Sequence, residues 1–276
     1  MDRGLSRLFQ QVDAQALLMK TVISQVEALT GVVPEVNALS LEVQNLVHDL
    51  PIDCADIQAR LNDPTDGAYL IRPAKSVHST KCYCEFEPGL RNKTEGSSWT
   101  VVQRRIDGSV SFARTWDEYK NGFGDVNEEF WIGNEKLYYL TSQGEYELQI
   151  DMWDLEGEYW WAHYDVFRVD TEGVNFRLNV NGYSGNSTDA LRYSNHMPFS
   201  TMDLDNDVSS THCAKFYTAG WWYKHCHYSN LNGRYTVGVV WFNHDTDEWI
   251  QLKRSVMKIK AKRGSISNLV EVNHTL

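Results

Sequence analysis

The chain has 276 residues and a formal net charge of -11, from 26 Lys and Arg against 37 Asp and Glu. That balance argues against general nucleic-acid binding, which needs many basic contacts to phosphate, and no apolar run of about 18 residues is present to cross a membrane as a helix. A hydrophobic content of 42%, with ten Trp and fourteen Tyr, fills one large domain with aromatics left over for a binding surface.

Residues 1–50 carry a heptad. Its a positions are Leu5, Val12, Met19, Val26, Val33, Ser40 and Val47, and its d positions are Leu8, Gln15, Val22, Leu29, Val36, Val43 and Leu50. All but Gln15 and Ser40 are apolar, and this period predicts a coiled coil that joins copies of the chain into a homo-oligomer. β-branched residues at both positions favour a trimer over a dimer. Gly31 and Pro34 predict a break between two helical pieces. An amphipathic helix pair packed on its own domain is the alternative. No apolar h-region follows Met1, so no signal peptide is expected in this text; a secreted reading then requires a fragment or isoform.

Pro51 ends the seam, and residues 51–264 read as one globular domain followed by a flexible tail over 265–276. Asp53 caps a short helix through Arg60, and Asp63-Pro64-Thr65-Asp66-Gly67 is a turn cluster. Asp107-Gly108, between Val101-Val102-Gln103 and Val110-Ser111-Phe112, predicts a hairpin. Thr115 to Asn121 predicts a helix with Thr115 as cap and Gly122 as stop. Alternation at Tyr146-Leu148-Ile150-Met152 and at Val174-Phe176-Leu178-Val180 predicts strands. Early helices and central antiparallel strands make the fold class α+β. Residues 181–233 are rich in Gly, Asn, Asp and Ser. A loop region of that length needs a function, or a metal and a disulfide, to hold it.

Within it lies Asp203-Leu204-Asp205-Asn206-Asp207, then Cys213, Gly220-Trp221-Trp222 and Cys226. Clustered carboxylates repel unless a cation neutralises them, and calcium takes such hard oxygen ligands from loops. A solvated acidic turn is the plainer alternative. An oxidised cysteine pair would pin the same loops, while His212-Cys213 and His225-Cys226-His227 leave a zinc site open. Asn92-Lys93-Thr94, Asn186-Ser187-Thr188 and Asn273-His274-Thr275 are glycosylation sequons; with the cysteines they point to a secreted, extracellular protein. No Gly-x-Ser-x-Gly, His-Glu-x-x-His or phosphate-cradling glycine loop occurs, so an enzyme is not expected.

Several stretches resemble one family. They are Trp99-Thr100-Val101-Val102-Gln103-Arg104-Arg105, Thr115 to Gly124, Glu129 to Lys136, Tyr164 to Phe167, Phe199-Ser200-Thr201, and the Trp221-Trp222 and Leu231-Asn232-Gly233 segments. In order, over about residues 53–263, they resemble a fibrinogen C-terminal-like domain, the family of fibrinogen chains, ficolins, tachylectins, tenascins and angiopoietins. The resemblance implies a central antiparallel sheet with a loop-rich calcium-binding subdomain. It implies bridges Cys54–Cys84 and Cys213–Cys226, and leaves Cys82 to join another chain, stay free or compete for Cys54. It implies Ca2+ on the side chains of Asp205 and Asp207 and the carbonyls of Ser209 and Thr211, with Asp203 nearby. Lectin members hold an acetyl group in an aromatic funnel beside a cis peptide, here His225–Cys226. Tyr217 and His227 match funnel residues, and the Cys226 amide would donate to the acetyl carbonyl; ordinary packing near a disulfide is the alternative for both rings.

One departure stands out. Thr236-Val237-Gly238 runs straight into Val239-Val240-Trp241, where the family has a longer loop carrying another funnel aromatic and the acidic group of fibrin knob binding. Phe242 and Trp249 are the candidates to fill that wall, and knob binding is not expected. The resemblance implies a calcium-dependent lectin for acetylated or other glycans in innate defence, or else an angiopoietin- or tenascin-like ligand for a cell-surface receptor or matrix protein.

Overall fold

The computed structural model describes residues 18–22, 24–26, 30, 32, 36–37, 39, 49–87, 97–262 and 264, in two compact units, Met1–Asp49 and Leu50–Leu276. In the first unit the described residues between 18 and 39 are helical and exposed, the seam positions Met19, Val22, Val26 and Val36 among them. The expected break at Gly31 and Pro34, the tail 265–276, and Asn92 and Asn273 lie outside the described residues. So do the other seam positions except Leu50, which sits in a bend.

In the second unit each early helix starts on a local signal. Asp53 accepts the Asp56 N–H at 2.9 Å and opens α1 (Cys54–Arg60), whose Cys54 and Ile57 face the core. Strands β1 (Gly67–Ile71), β2 (Thr80–Glu87) and β3 (Ser97–Arg105) follow. Thr115 and Glu118 form a reciprocal capping box on α2 (Trp116–Asn121), which stops at Gly122 with φ 86°. A Cβ at Gly122 would lie 2.3 Å from the Ile132 carbonyl, so only glycine fits. Next come β4 (Phe123–Gly124), β5 (Phe130–Trp131), α3 (Asn134–Ser142), β6 (Tyr146–Asp154), β7 (Tyr159–Val169) and β8 (Leu178–Gly185). The late region holds α4 (Cys213–Tyr217), β9 (Ser229–Asn230), β10 (Val240–Asn243) and β11 (Glu248–Ala261).

The strand order is β1-β2-β3-β11-β6-β7-β8, and every pairing is antiparallel. The fold is therefore α+β with a large antiparallel sheet. The last strand takes the central place. Ser255–Ile259 of β11 pair with β3 on one side, Leu252–Ala261 pair with β6 on the other, and Glu248–Gln251 pair with β10. One strand thus ties the sheet to the late region. The alternating residues Tyr146, Leu148, Ile150 and Met152 of β6 are all buried, as their period of two requires. Among the described residues no helix is long and apolar enough to cross a membrane.

Two local expectations fail, each for a physical reason. Asp107-Gly108 does not close a hairpin, because β3 ends at Arg105 and residues 110–112 form no strand. Instead the loop wraps the wholly buried Glu129, whose carboxylate accepts the N–H groups of Ile106, Gly108 and Val110 at 2.7–3.0 Å. A buried carboxylate is tolerable only when so satisfied, and Arg105 adds a charge 3.6 Å away. In the second case β8 begins only at Leu178. Val174 ends a 3-10 turn and Phe176 has φ 48°, with its carbonyl held by the Trp222 indole N–H at 2.7 Å.

Candidate functional site

The acidic loop is wired by its own side chains. Asp207 accepts the Ser209 N–H at 2.8 Å on Oδ1 and the Cys213 N–H at 2.9 Å on Oδ2. Asp205 accepts the Asp207 N–H at 3.2 Å, and the Ser209 hydroxyl accepts the Thr211 N–H at 3.1 Å. Asp203 is used differently. Its Oδ1 accepts the Trp116 N–H at 2.9 Å and the Thr201 hydroxyl at 2.7 Å, fastening the loop to the start of α2. That leaves Asp205 and Asp207 as the free charge pair. Partial burial, then the neighbouring Asp205, hold the Asp207 carboxyl above the usual carboxylate range, as expected of close carboxylates that lack a countercharge. The donor set of Asp205, Asp207 and the Ser209 and Thr211 carbonyls is all hard oxygen, which fits calcium.

Two disulfides are present. Cys213 joins Cys226, which ties α4 to the 225–228 turn, and Cys54 joins Cys84, which ties α1 to β2. The zinc reading of His212, Cys213, His225, Cys226 and His227 therefore fails, since a bridged cysteine is no thiolate ligand. His212 Nε2 lies instead 2.9 Å from the Thr201 carbonyl. Cys82 is a free thiol, fully buried, with its sulfur 3.9 Å from both Cys54 and Cys84. Burial, with the Asp53 charge beyond it, pushes this thiol up to about 12. A proton-bearing, enclosed sulfur is inert, and it cannot reach another chain.

Rings expected to line a pocket meet from three elements. Tyr217 ends α4, His227 follows the Cys226 bridge, and Trp249 is the second residue of β11. The Tyr217 and His227 rings are 4.5 Å apart, His227 and Trp249 5.4 Å, and Trp249 and Phe242 5.0 Å. Phe242 and Trp249 are cross-strand partners in the β10–β11 hairpin, and this register puts both on one face. The His225–Cys226 peptide is cis. His225 itself is exposed, and its carbonyl accepts the Tyr193 hydroxyl at 3.1 Å. Both His227 ring nitrogens are buried without a protein partner among the described residues. Burial alone lowers its pKa to about 4, so the ring is neutral at physiological pH.

Tyr223, 5.9 Å from His227, also belongs to this wall and was not singled out from the sequence. Its place beside Trp221-Trp222 and inside the Cys213–Cys226 loop was the signal. Asn186 proves to be part of the scaffold near the site. Its amide accepts the Trp161 N–H at 2.6 Å and donates to the Tyr159 carbonyl at 3.0 Å, prolonging the β7–β8 ladder. Two residues on, the Thr188 hydroxyl donates to the Phe242 carbonyl at 2.7 Å and accepts the His244 N–H at 3.0 Å, fixing the end of β10.

Residues 50–263 match the family described as fibrinogen beta and gamma chains, C-terminal globular domain. The chain is 40% identical over 251 residues to Protein scabrous of Drosophila melanogaster, with 91% of this chain and 30% of that protein covered. It is 36% identical over 239 residues to human fibroleukin, with 84% and 52% covered. The chain thus spans about half or less of these two relatives. The fibrinogen-like globe domain of human ANGPTL2 superposes with a TM-score of 0.67 at 36% identity, over 76% of this chain and 99% of that one. Lamprey fibrin D-dimer, complexed with the peptide Gly-His-Arg-Pro-amide, gives 0.66 at 26% identity, over 95% and 98%. Since the match runs the length of the globular unit and carries its sheet with it, the chain belongs to the fibrinogen C-terminal domain family.

Proposed function

We propose that this chain is an extracellular, oligomeric binding protein, not an enzyme, whose globular domain takes acetylated or other glycans in a calcium-stiffened aromatic pocket as part of innate defence. The observation that carries this reading is His227. It is a neutral imidazole with two unpartnered ring nitrogens, enclosed by Tyr217, Tyr223 and Trp249. Such a ring holds one donor and one acceptor within an apolar wall, and a few polar groups set among aromatic side chains are the make-up of a small-ligand site. The rings would grip the acetyl methyl and the Cys226 amide would donate to its carbonyl. Calcium on Asp205, Asp207 and the Ser209 and Thr211 carbonyls would cancel the carboxylate repulsion and stiffen the loop that leads into α4. The exposed apolar seam at Met19, Val22, Val26 and Val36 supports assembly into a coiled coil. Several heads presented together turn a weak single site into avid binding.

The test is titration of the calcium-loaded chain with N-acetylglucosamine, followed by protein NMR. Shifts confined to residues around His227 at millimolar sugar are expected. A folded, calcium-loaded protein that shows none overturns the reading.

One observation favours a second reading, a ligand for a cell-surface receptor or matrix protein. Phe216 on α4 and Val208 on the acidic loop are 70% and 63% exposed, apolar surface of the sort that anchors protein contacts. Saturable binding to a cell-surface protein, indifferent to sugar and lost in Phe216→Ser, would establish it in place of the first.

A further inference from the structure

Beyond the pocket, the aromatic wall continues. From Trp249 the ring contacts run on through Phe242 to Tyr228, stacked at 5.0 Å, and from Tyr228 to Tyr193 at 4.4 Å. The exposed His244 sets its edge against both Tyr228 and Phe242, at 4.9 and 5.0 Å. The ring contacts therefore lead from Tyr217 to the 3-10 turn at Leu191–Ser194. Tyr228 packs on the hydrophobic core, and Trp249 is 46% exposed. The short 234–238 turn closes on itself, with the Gly238 N–H on the Arg234 carbonyl at 2.7 Å. Its Tyr235 hydroxyl is taken up by the Ile106 and Lys253 carbonyls.

The geometry points to a second subsite: the ribbon of Phe242, Tyr228, His244 and Tyr193 receives the next, uncharged sugar of an oligosaccharide whose acetylated unit sits at His227. This rests on the glycan reading above. The steps between rings are comparable with the length of one pyranose ring, so a linear extension stays in contact as it leaves the pocket. A pyranose has an apolar C–H face and a hydroxyl edge. The ribbon matches it with partly exposed aromatic rings beside exposed hydrogen-bonding groups, Asp245 and Asp247 in the β10–β11 turn and Glu248 at the start of β11. Three carboxylates against the single ammonium of Lys224, which lies 5.0 Å over the Tyr193 ring, leave a net negative surface that disfavours a sialylated or sulfated unit, so the extension is a neutral hexose. A protein partner fits less well, because its anchors seek apolar pockets with the charge kept to the rim.

The test compares N-acetylglucosamine with disaccharides that extend it by one neutral hexose, at the 4-hydroxyl or at the reducing end. Each carries a single acetyl group, so no statistical factor enters. With the full calcium-loaded chain, one of the two disaccharides binds about five- to tenfold tighter than the monosaccharide. It also shifts the ring signals of Tyr228 and Tyr193, which the monosaccharide leaves in place. In His244→Ala that gain falls to about twofold or less while monosaccharide affinity is unchanged. A sulfated hexose at the favoured position loses the gain. If the monosaccharide binds but neither disaccharide binds tighter, or the gain survives in His244→Ala with the Tyr228 and Tyr193 rings unshifted, the subsite is wrong and the pocket stands. If the monosaccharide does not bind at all, the pocket reading fails and this one falls with it.

Discussion

The sheet and the late region are held by different physics. Between β3, β11 and β6 the chain makes a long antiparallel ladder, bulged at Met257/Lys258 and at Leu252/Arg254, that buries Val101, Leu148, Ile150, Met257 and Ile259 and leaves the buried Ser255 hydroxyl to donate to Gln103. From Phe199 to Gly238 there is little ladder, only a five-residue helix and a two-residue strand. Order there comes from one disulfide, from carboxylates that accept backbone N–H groups, from an amide that donates to a backbone carbonyl, and from rings packed edge to face. A ladder specifies itself by period and burial. A cross-linked loop can place unlike groups together without regard to period, which is what a recognition site requires, and it depends on each tie separately.

The contrast is broken most severely in the sheet. Leu148→Ala removes a wholly buried side chain from a strand with partners on both sides. It is expected to cost about 4 kcal/mol, read as a loss in chemical-denaturation midpoint, and to lower the stability of sheet and site alike. Cys213→Ala with Cys226→Ala comes next. The bridge closes a 13-residue separation, and its loss is expected to cost about 3 kcal/mol. Here the effect is uneven: amide exchange in residues 203–230 accelerates far more than in β3, β6 and β11. Uniform acceleration would show that the two regions are one cooperative unit.

Acid sharpens the same comparison. His227 has a folded pKa of about 4 against an unperturbed value near 6.5. The unfolded chain therefore binds the extra proton first, and stability is full above about pH 6.5 and is lost as pH falls toward 4. Between pH 7 and 5 this group alone is expected to remove about 2 kcal/mol. Asp53 and Asp207, both raised by burial, contribute with the opposite sign. The readout is thus the difference between the parent and His227→Gln in thermal melts at the two pH values. Equal losses in both proteins would remove the burial of a neutral His227 from the account.

What was legible in the sequence follows the same division. The α2 helix could be read because its stop and start signals lie within a few residues, and β6 because its period of two is carried by Tyr146, Leu148, Ile150 and Met152. Loop 106–110 could not be read, because its shape is set by Glu129, some twenty residues downstream. Nor could Phe176, whose left-handed backbone serves a contact to Trp222. In the site, Tyr217 and His227 were placed by resemblance. The position of Phe242 against Trp249 needed the β10–β11 register, which the four-residue turn at 244–247 decides and composition does not. The fate of Cys82 needed its burial.

The smallest expected effect concerns the ion. A cation that binds only the folded loop stabilises by mass action, about 1.4 kcal/mol at ten times its dissociation constant. Chelation should therefore lower the melting temperature by a few degrees, and calcium should restore it. Asp205→Ala should abolish the response while leaving Asp203 fastened to Trp116, so that the loop stays tied to the start of α2. Asp203→Ala should do the reverse, removing the acceptor of the Trp116 N–H and loosening α2 at the loop while the calcium response persists. If chelation leaves the melting of metal-free and metal-loaded protein alike, the acidic loop is held by its own hydrogen bonds. The late region would then be stiff through the disulfide and rings alone, and the pocket beside it would bind its ligand without regard to calcium.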